Sequence, residues 1–223
     1  MNSRAEALVL RRTNYGEADR IIQVITPDGK RSLMAKGVRK EKSKLAGGIE
    51  VFSLSDITWR VGRSELGVLT SARLVKFYKN ILEDYDRLQF GYEALRQVAK
   101  KSEMIDSPDF FELLKSILQA LNSTDYELAL VQSWFYLRLS QVIGEGLNLN
   151  TDVNGEKLRE DAKYLYDVEQ EALVESVSGN IVSDHIKLLR IMQMNDIGVV
   201  RKVTGVESLL SETLHLAQIA ARL

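Results

Sequence analysis

Between Lys30 and Lys44 the sequence reads KRSLMAKGVRKEKSK, in which Lys30, Arg31, Lys36, Arg39, Lys40, Lys42 and Lys44 face a single acid, Glu41. Seven cations in fifteen positions exceed what solubility requires. Side chains of this type neutralise phosphates and release their counterions, so the run suits a polyanion backbone and gives affinity with little base preference. Gly37 and Gly47-Gly48 bracket the densest part, which predicts a mobile loop that can drape along a line of phosphates. Arg11, Arg12 and Arg20 before it, and Arg60 and Arg63 after it, extend the same surface. Among the nearby aromatics, Tyr15 in Asn14-Tyr15-Gly16-Glu17 is the candidate for base stacking, whereas Phe52 and Trp59 read as core. A merely solvated charge run is the alternative meaning of the same pattern.

Residues spaced for catalysis are missing. The chain has no Cys, which removes disulfides, thiol nucleophiles and thiolate zinc sites together. His185 and His215 are 30 positions apart, outside any HExxH arrangement, and no GxSxG elbow occurs. Gly29-Lys30-Arg31-Ser32 resembles the end of a phosphate loop, but Val24 stands where its first glycine belongs. The carboxylate pairs Asp84 with Asp86 and Glu160 with Asp161 sit in acidic, solvated segments. The expectation is a non-enzyme without metal or cofactor.

The elements that must position the basic run follow from charge and periodicity. Residues 1–80 carry 16 basic and 8 acidic side chains, a net of +8, and residues 81–223 carry 14 and 23, a net of −9. Such asymmetry points to a polyanion-binding module joined to something else. With 45% apolar and 27% charged residues the chain is globular in composition. No run approaches the roughly 18 apolar residues of a membrane helix, and the N-terminus lacks a long apolar stretch, so a cytoplasmic protein is expected.

The first 80 residues read as five strands: Ala5–Thr13, Arg20–Thr26, Arg31–Ala35 after the turn Pro27-Asp28-Gly29, Val51–Val61 and Glu65–Leu74 after Gly62-Arg63-Ser64. In the fourth, the apolar phase shifts from Phe52 and Leu54 to Ile57, Trp59 and Val61, which predicts a bulge or sharp bend near Ser55-Asp56. Five short strands suit a small closed barrel, OB-like in this reading, although periodicity does not separate OB from SH3-like barrels. Residues 81–223 read as a helical bundle. One stripe is Tyr85, Leu88, Tyr92, Leu95 and Ala99; a second is Phe110, Leu113, Leu114, Ile117, Leu118 and Leu121, opened by Ser107 and Pro108. Thr124 to Glu127 has capping-box spacing before a helix that is apolar nearly all round. Further helices start at Ser183 and near Val206, and within the irregular stretch 145–180 Tyr164-Leu165-Tyr166 can pair with Ala172-Leu173-Val174 as a hairpin. The fold class is α+β: an OB barrel over 1–80, then a helical domain over 81–223 with a small hairpin insertion.

Leu8-Val9-Leu10-Arg11-Arg12, Tyr15-Gly16-Glu17-Ala18-Asp19-Arg20, Thr26 to Lys30, and Ala35-Lys36-Gly37-Val38-Arg39 with Ser43 occur in an order and spacing that resemble the N-terminal domain of the RecO family of recombination mediators, over about residues 4 to 76. The resemblance implies an OB domain followed by a helical domain. It also implies a helper that binds single- and double-stranded DNA, anneals complementary strands and, with RecR, helps RecA displace single-strand-binding protein; its place is the cytoplasm, at the nucleoid. Many members hold a four-cysteine zinc module where this chain has residues 144–180 without cysteine, so zinc is not expected. Members also contact the acidic C-terminal tail of single-strand-binding protein through the helical domain, and Arg138, within Trp134-Phe135-Tyr136-Leu137-Arg138-Leu139, is the candidate there. The alternative for Arg138 is snorkelling or internal pairing. The alternative for the whole chain is a scaffold whose basic barrel docks an acidic protein.

Overall fold

The computed structural model describes residues 2–61 and 66–221. By packing the chain forms two compact units, Met1–Ser123 and Thr124–Leu223.

The first unit contains β1 (Asn2–Tyr15), β2 (Asp19–Thr26), β3 (Gly29–Ala35), β4 (Ser53–Arg60) and β5 (Gly67–Phe77), closed as an OB barrel in the order β1-β2-β3-β5-β4. At 14 residues β1 is long enough to serve two neighbours: Asn2 to Leu8 pair with β4, and Leu8 to Tyr15 pair with β2. The ladder slips between Val9 and Arg11, where Leu10 is the extra residue. β3 and β5 run parallel and, among the described residues, meet over two rungs, Leu33 with Gly67 and Met34 with Val68. Inward-facing Ala7, Val9, Ile22, Val24, Leu33, Ile57, Trp59 and Leu69 make the barrel core, which Val38 and Ile49 from the β3–β4 connection complete.

The irregularity expected near Ser55-Asp56 appears as a register shift in the β4–β5 ladder between Leu54 and Ser55. The extra residue there is Val75 of β5, a second shift between Thr58 and Trp59 leaves Thr70 of β5 extra, and Ser53, Leu54 and Ser55 are buried in succession. Phe52 and Leu54 are buried yet lie outside the barrel core, and so do Leu8, Leu10 and Ile25. The barrel is covered on part of its outer surface, so both strand faces there are apolar and a period of two breaks down.

The cover consists of α1 (Tyr85–Lys101) and α2 (Asp109–Leu121). The Asp84 side chain caps α1 by accepting from the Arg87 amide at 3.0 Å. The face of α1 that is buried carries Phe90, Gly91, Ala94, Leu95 and Val98, whereas Tyr85 and Tyr92 of the expected stripe are 72% and 51% exposed. Gly91 explains the rotation: a Cβ there would come within 2.8 Å of the Phe52 ring, so small residues mark the contact and large ones are displaced from it. The α2 stripe is buried as its spacing predicts, and the Ser107 hydroxyl accepts from the Asp109 amide at 3.2 Å. Strands give way to helices near residue 80, while the packing boundary falls at Ser123 because α1 and α2 stand with the barrel.

The second unit is built round α3 (Leu128–Val142), with Leu130, Val131, Trp134, Phe135, Leu137 and Leu139 buried. It starts at Leu128 with no side-chain cap, so the expected Thr124 capping box does not form. Around it stand α4 (Ser183–Met194), the single turn α5 (Ile197–Val200) and α6 (Leu210–Ala220). The insertion forms the expected hairpin of β6 (Tyr164–Asp167) and β7 (Ala172–Glu175), Leu165 opposite Val174. Buried Tyr164 is its plug: its hydroxyl accepts from the Arg159 amide at 2.8 Å, and its backbone exchanges hydrogen bonds of 2.9 and 3.0 Å with Ile181. Residues 144–180 do not fit a zinc ion, since the chain lacks cysteine and no group of three potential ligands gathers among the described residues. Packing of Tyr164, Leu173 and Ile181 holds the hairpin instead.

Candidate nucleic-acid interface

The run from Lys30 to Lys44 is divided by the strand inside it. β3 is seven residues long, so its two ends are about 20 Å apart at a rise of roughly 3.3 Å per residue. At the first end Lys30 and Arg31 are engaged internally. Lys30 Nζ donates to the Ala99 carbonyl at 3.0 Å and to Glu103 at 2.7 Å, joining β3 to the last turn of α1. This bond holds the Glu103 carboxyl below its ordinary range. Arg31 donates to the carbonyls of Lys30 and Asp28 at 2.8 and 2.6 Å. Neither cation is presented with the rest.

At the other end the chain leaves β3 through Lys36 into a series of turns rather than a loose loop. Gly37, at φ 63°, donates its amide to the Asp19 carboxylate at 2.6 Å. The Arg39 amide reaches the Ala18 carbonyl at 2.9 Å, and Arg39 Nη1 reaches the Gly16 carbonyl at 3.2 Å. Val38 between them is buried in the barrel core. The segments Tyr15-Gly16-Glu17-Ala18-Asp19-Arg20 and Ala35-Lys36-Gly37-Val38-Arg39 are thus two halves of one clamp. The glycine and the aspartate hold the backbones together, and the cations follow.

Lys36, Arg39, Lys40, Lys42 and Lys44 are all exposed at this end, as is Tyr15. Arg20 is half-buried and donates to the Asn14 side chain at 3.1 Å. Arg60 ends β4 opposite Val68, which is itself opposite Met34, so it stands two ladder steps, about 10 Å, from the end of β3. Arg12 is half-buried and paired with Glu50 at 2.6 Å. Arg11 is exposed further along β1, opposite Gln23 of β2. Arg63 lies outside the described residues.

Sequence reasoning passed over further cations on β1 and β5. Arg4 and Arg73 both bind the Asp56 carboxylate, Arg4 through Nε at 2.9 Å and Arg73 at 3.1 Å. Arg4's hydrogen bond, against a smaller opposing effect of burial and with Arg73 helping, brings the Asp56 carboxyl down to about 2. Lys76 and Lys79 are exposed beyond Arg73, and residues 66–80 contain no acid, a signal present in the sequence.

In the second unit Arg138 is paired internally. Its Nη1 donates to the Gln193 carbonyl in the last turn of α4 at 2.6 Å and to Gln141 at 3.1 Å, and its guanidinium lies 5.8 Å over the Trp134 ring. A cation among the free carbonyls of a helix C-terminus is favourably placed against the helix dipole. His185 is buried and accepts from the Val182 amide at 3.2 Å, and burial lowers its pKa.

The arrangement has the chemistry to meet phosphates: among the described residues the clamp carries exposed cations beside the exposed ring of Tyr15. Two family models match the chain. The one described as recombination protein O N terminal matches residues 1–78, and the one described as recombination protein O C terminal matches residues 94–217. Among curated relatives, the DNA repair protein RecO of Dehalococcoides mccartyi is 29% identical, covering 96% of this chain and 87% of its own. That of Roseiflexus sp. is 33% identical over 54% of this chain and 42% of its own, and that of Rubrobacter xylanophilus 31% over 70% and 65%.

Proposed function

Because this chain belongs to the RecO family of DNA repair and recombination proteins, we propose that it is a recombination mediator that binds single- and double-stranded DNA and anneals complementary strands. With RecR, it then helps load RecA onto DNA coated by single-strand-binding protein. The observation that carries this reading is the clamp at one end of the OB barrel, which presents Lys36, Arg39, Lys40, Lys42 and Lys44 beside Tyr15 with little base-reading apparatus. Two phosphate backbones repel one another; fixed cations between them lower that cost and leave base pairing to choose the partner. Such work needs no bond-making residue, metal or cofactor, and it belongs in the cytoplasm at the nucleoid. No helix among the described residues is long and apolar enough to cross a membrane.

The test is annealing of two complementary fluorescent oligonucleotides, bare and coated with single-strand-binding protein, through a salt series without nucleotide or metal. Acceleration that fades with salt supports the reading. Tight, salt-sensitive capture of an acidic protein with no acceleration of annealing would replace it with the scaffold alternative. The second unit is the proposed docking place of the tail of single-strand-binding protein; there Arg138 contributes only the guanidinium edge not already held by Gln193 and Gln141.

A further inference from the structure

Along the outer face of the barrel, α1 stands off from β1 and β2 and leaves a groove of about 500 Å³ within the first unit. Its floor is apolar, made by Leu10, Leu95 and Ala99, and its rim carries Arg11 from β1 and Arg96 and Lys100 from α1. Tyr92 lines it as well. Tyr92, Arg96 and Lys100 are spaced i, i+4, i+8, so they form one line along the helix, each step rising about 6 Å. That step is close to the separation of neighbouring phosphates in an extended single strand.

Tyr92, like Tyr85, belongs to the apolar stripe expected from the sequence, yet it is 51% exposed. Its ring is not loose: buried Phe52 braces it edge-on at 5.0 Å and 62°. A braced, half-exposed ring beside cations is a platform for an unpaired base. The acids at the groove are engaged already. Glu93 accepts from Arg96 Nε and Nη2 at 2.9 Å each and from Gln97 at 2.7 Å, and Glu103 accepts from Lys30. Arg11 and Lys100 have no bonded partner among the described residues, and they supply the positive charge.

We propose that this groove is a subsite for single-stranded nucleic acid, with Tyr92 stacking a base and Arg11, Lys100 and Arg96 meeting the flanking phosphates. Duplex cannot use it, because its bases are already stacked on one another and have no free face to offer the ring. The groove therefore sets a preference for single strands over duplex, while the clamp at the barrel end serves both. An acidic peptide with an apolar anchor would share the charge pattern and is distinguished by the peptide arm of the experiment below.

The inference rests on the reading that the chain binds DNA, and the experiment separates the two. Fluorescence anisotropy is measured with a labelled oligothymidine of about 20 nucleotides and with a duplex of equal length, on the intact chain and on Tyr92→Ala, Lys100→Ala and Tyr92→Phe. Loss of one stacking contact predicts roughly a tenfold weaker affinity of Tyr92→Ala for the single strand. Duplex affinity should stay the same, and Tyr92→Phe should restore the single-strand value. A denaturation curve of Tyr92→Ala checks that loss of the Phe52 contact has not unfolded the unit. Equal loss on both probes, or no loss on either, overturns the subsite. Unchanged DNA affinities with lost binding of an acidic probe peptide assign the groove to a protein partner instead. If the unaltered chain binds neither DNA, the mediator reading itself falls.

Discussion

Replacing Arg39, Lys40, Lys42 and Lys44 together by alanine should change how binding depends on salt more than it changes the fold. All four side chains are exposed, and only Arg39 gives up an internal side-chain bond, the one to the Gly16 carbonyl. For single strands each lost phosphate contact reduces the log-log salt slope by about 0.7, so four contacts reduce it by up to about 3. Between 50 and 200 mM salt, the variant should then lose affinity about 50-fold less than the unaltered chain. The matching control is Lys30→Ala with Arg31→Ala, from the same run of sequence. These cations are bonded to Ala99, Glu103, Asp28 and the Lys30 carbonyl, so the slope should hold while stability falls by about 1–2 kcal/mol. Anisotropy titrations at four salt concentrations and urea melts read the two quantities separately. An unchanged slope in the first variant, or an equal drop in the second, would refute the division of the run by β3.

Gly179→Ala places a Cβ 2.6 Å from the Tyr164 backbone, which cannot yield as a side chain could, and should destabilise the second unit by about 1–3 kcal/mol in thermal melts. Asp56 titrates at about 2 in the folded chain against 3.8 ordinarily, so its contribution is complete above pH 4 and is lost as the pH falls towards 2. In Asp56→Asn the acid limb of the stability curve between those values should flatten, and a curve superimposing on the parent would remove Asp56 from the acid response. Arg138→Ala breaks the bond to the Gln193 carbonyl and should lower stability by about 1–2 kcal/mol. Calorimetry of the same variant with a tail peptide tests its docking role, and equal affinity would leave Arg138 a purely internal cap.

What could be read in the sequence was whatever repeats at short range. Strands β2 and β3, the hairpin of β6 and β7, and the buried stripe of α2 all follow from spacing within a few residues. The face of α1 did not, because it is defined by what fits against Phe52, and Gly91 and Ala94 carry no hydrophobic signal of their own. The basic run was visible as charge, but not its division: Lys30 is held by Glu103, 73 positions away. Arg138 was read from its own helix, while its partner Gln193 lies 55 residues on. Even the most recognisable segments yielded their meaning only in three dimensions, where Asp19 and Gly37 are found to be partners and not two separate motifs.

The seam between β3 and β5 bears on how the barrel comes to exist at all. β1–β2–β3 and β4–β5 each pair strands adjacent in the chain, with β1 bridging the two groups. Among the described residues, the rungs joining Leu33 and Met34 to Gly67 and Val68 complete the ring, and they link residues 34 apart in the chain. A seam between residues so distant in sequence repays its loop-closure entropy late. The order expected for the first unit is therefore pairing of near-neighbour strands first and closure of the seam between β3 and β5 last.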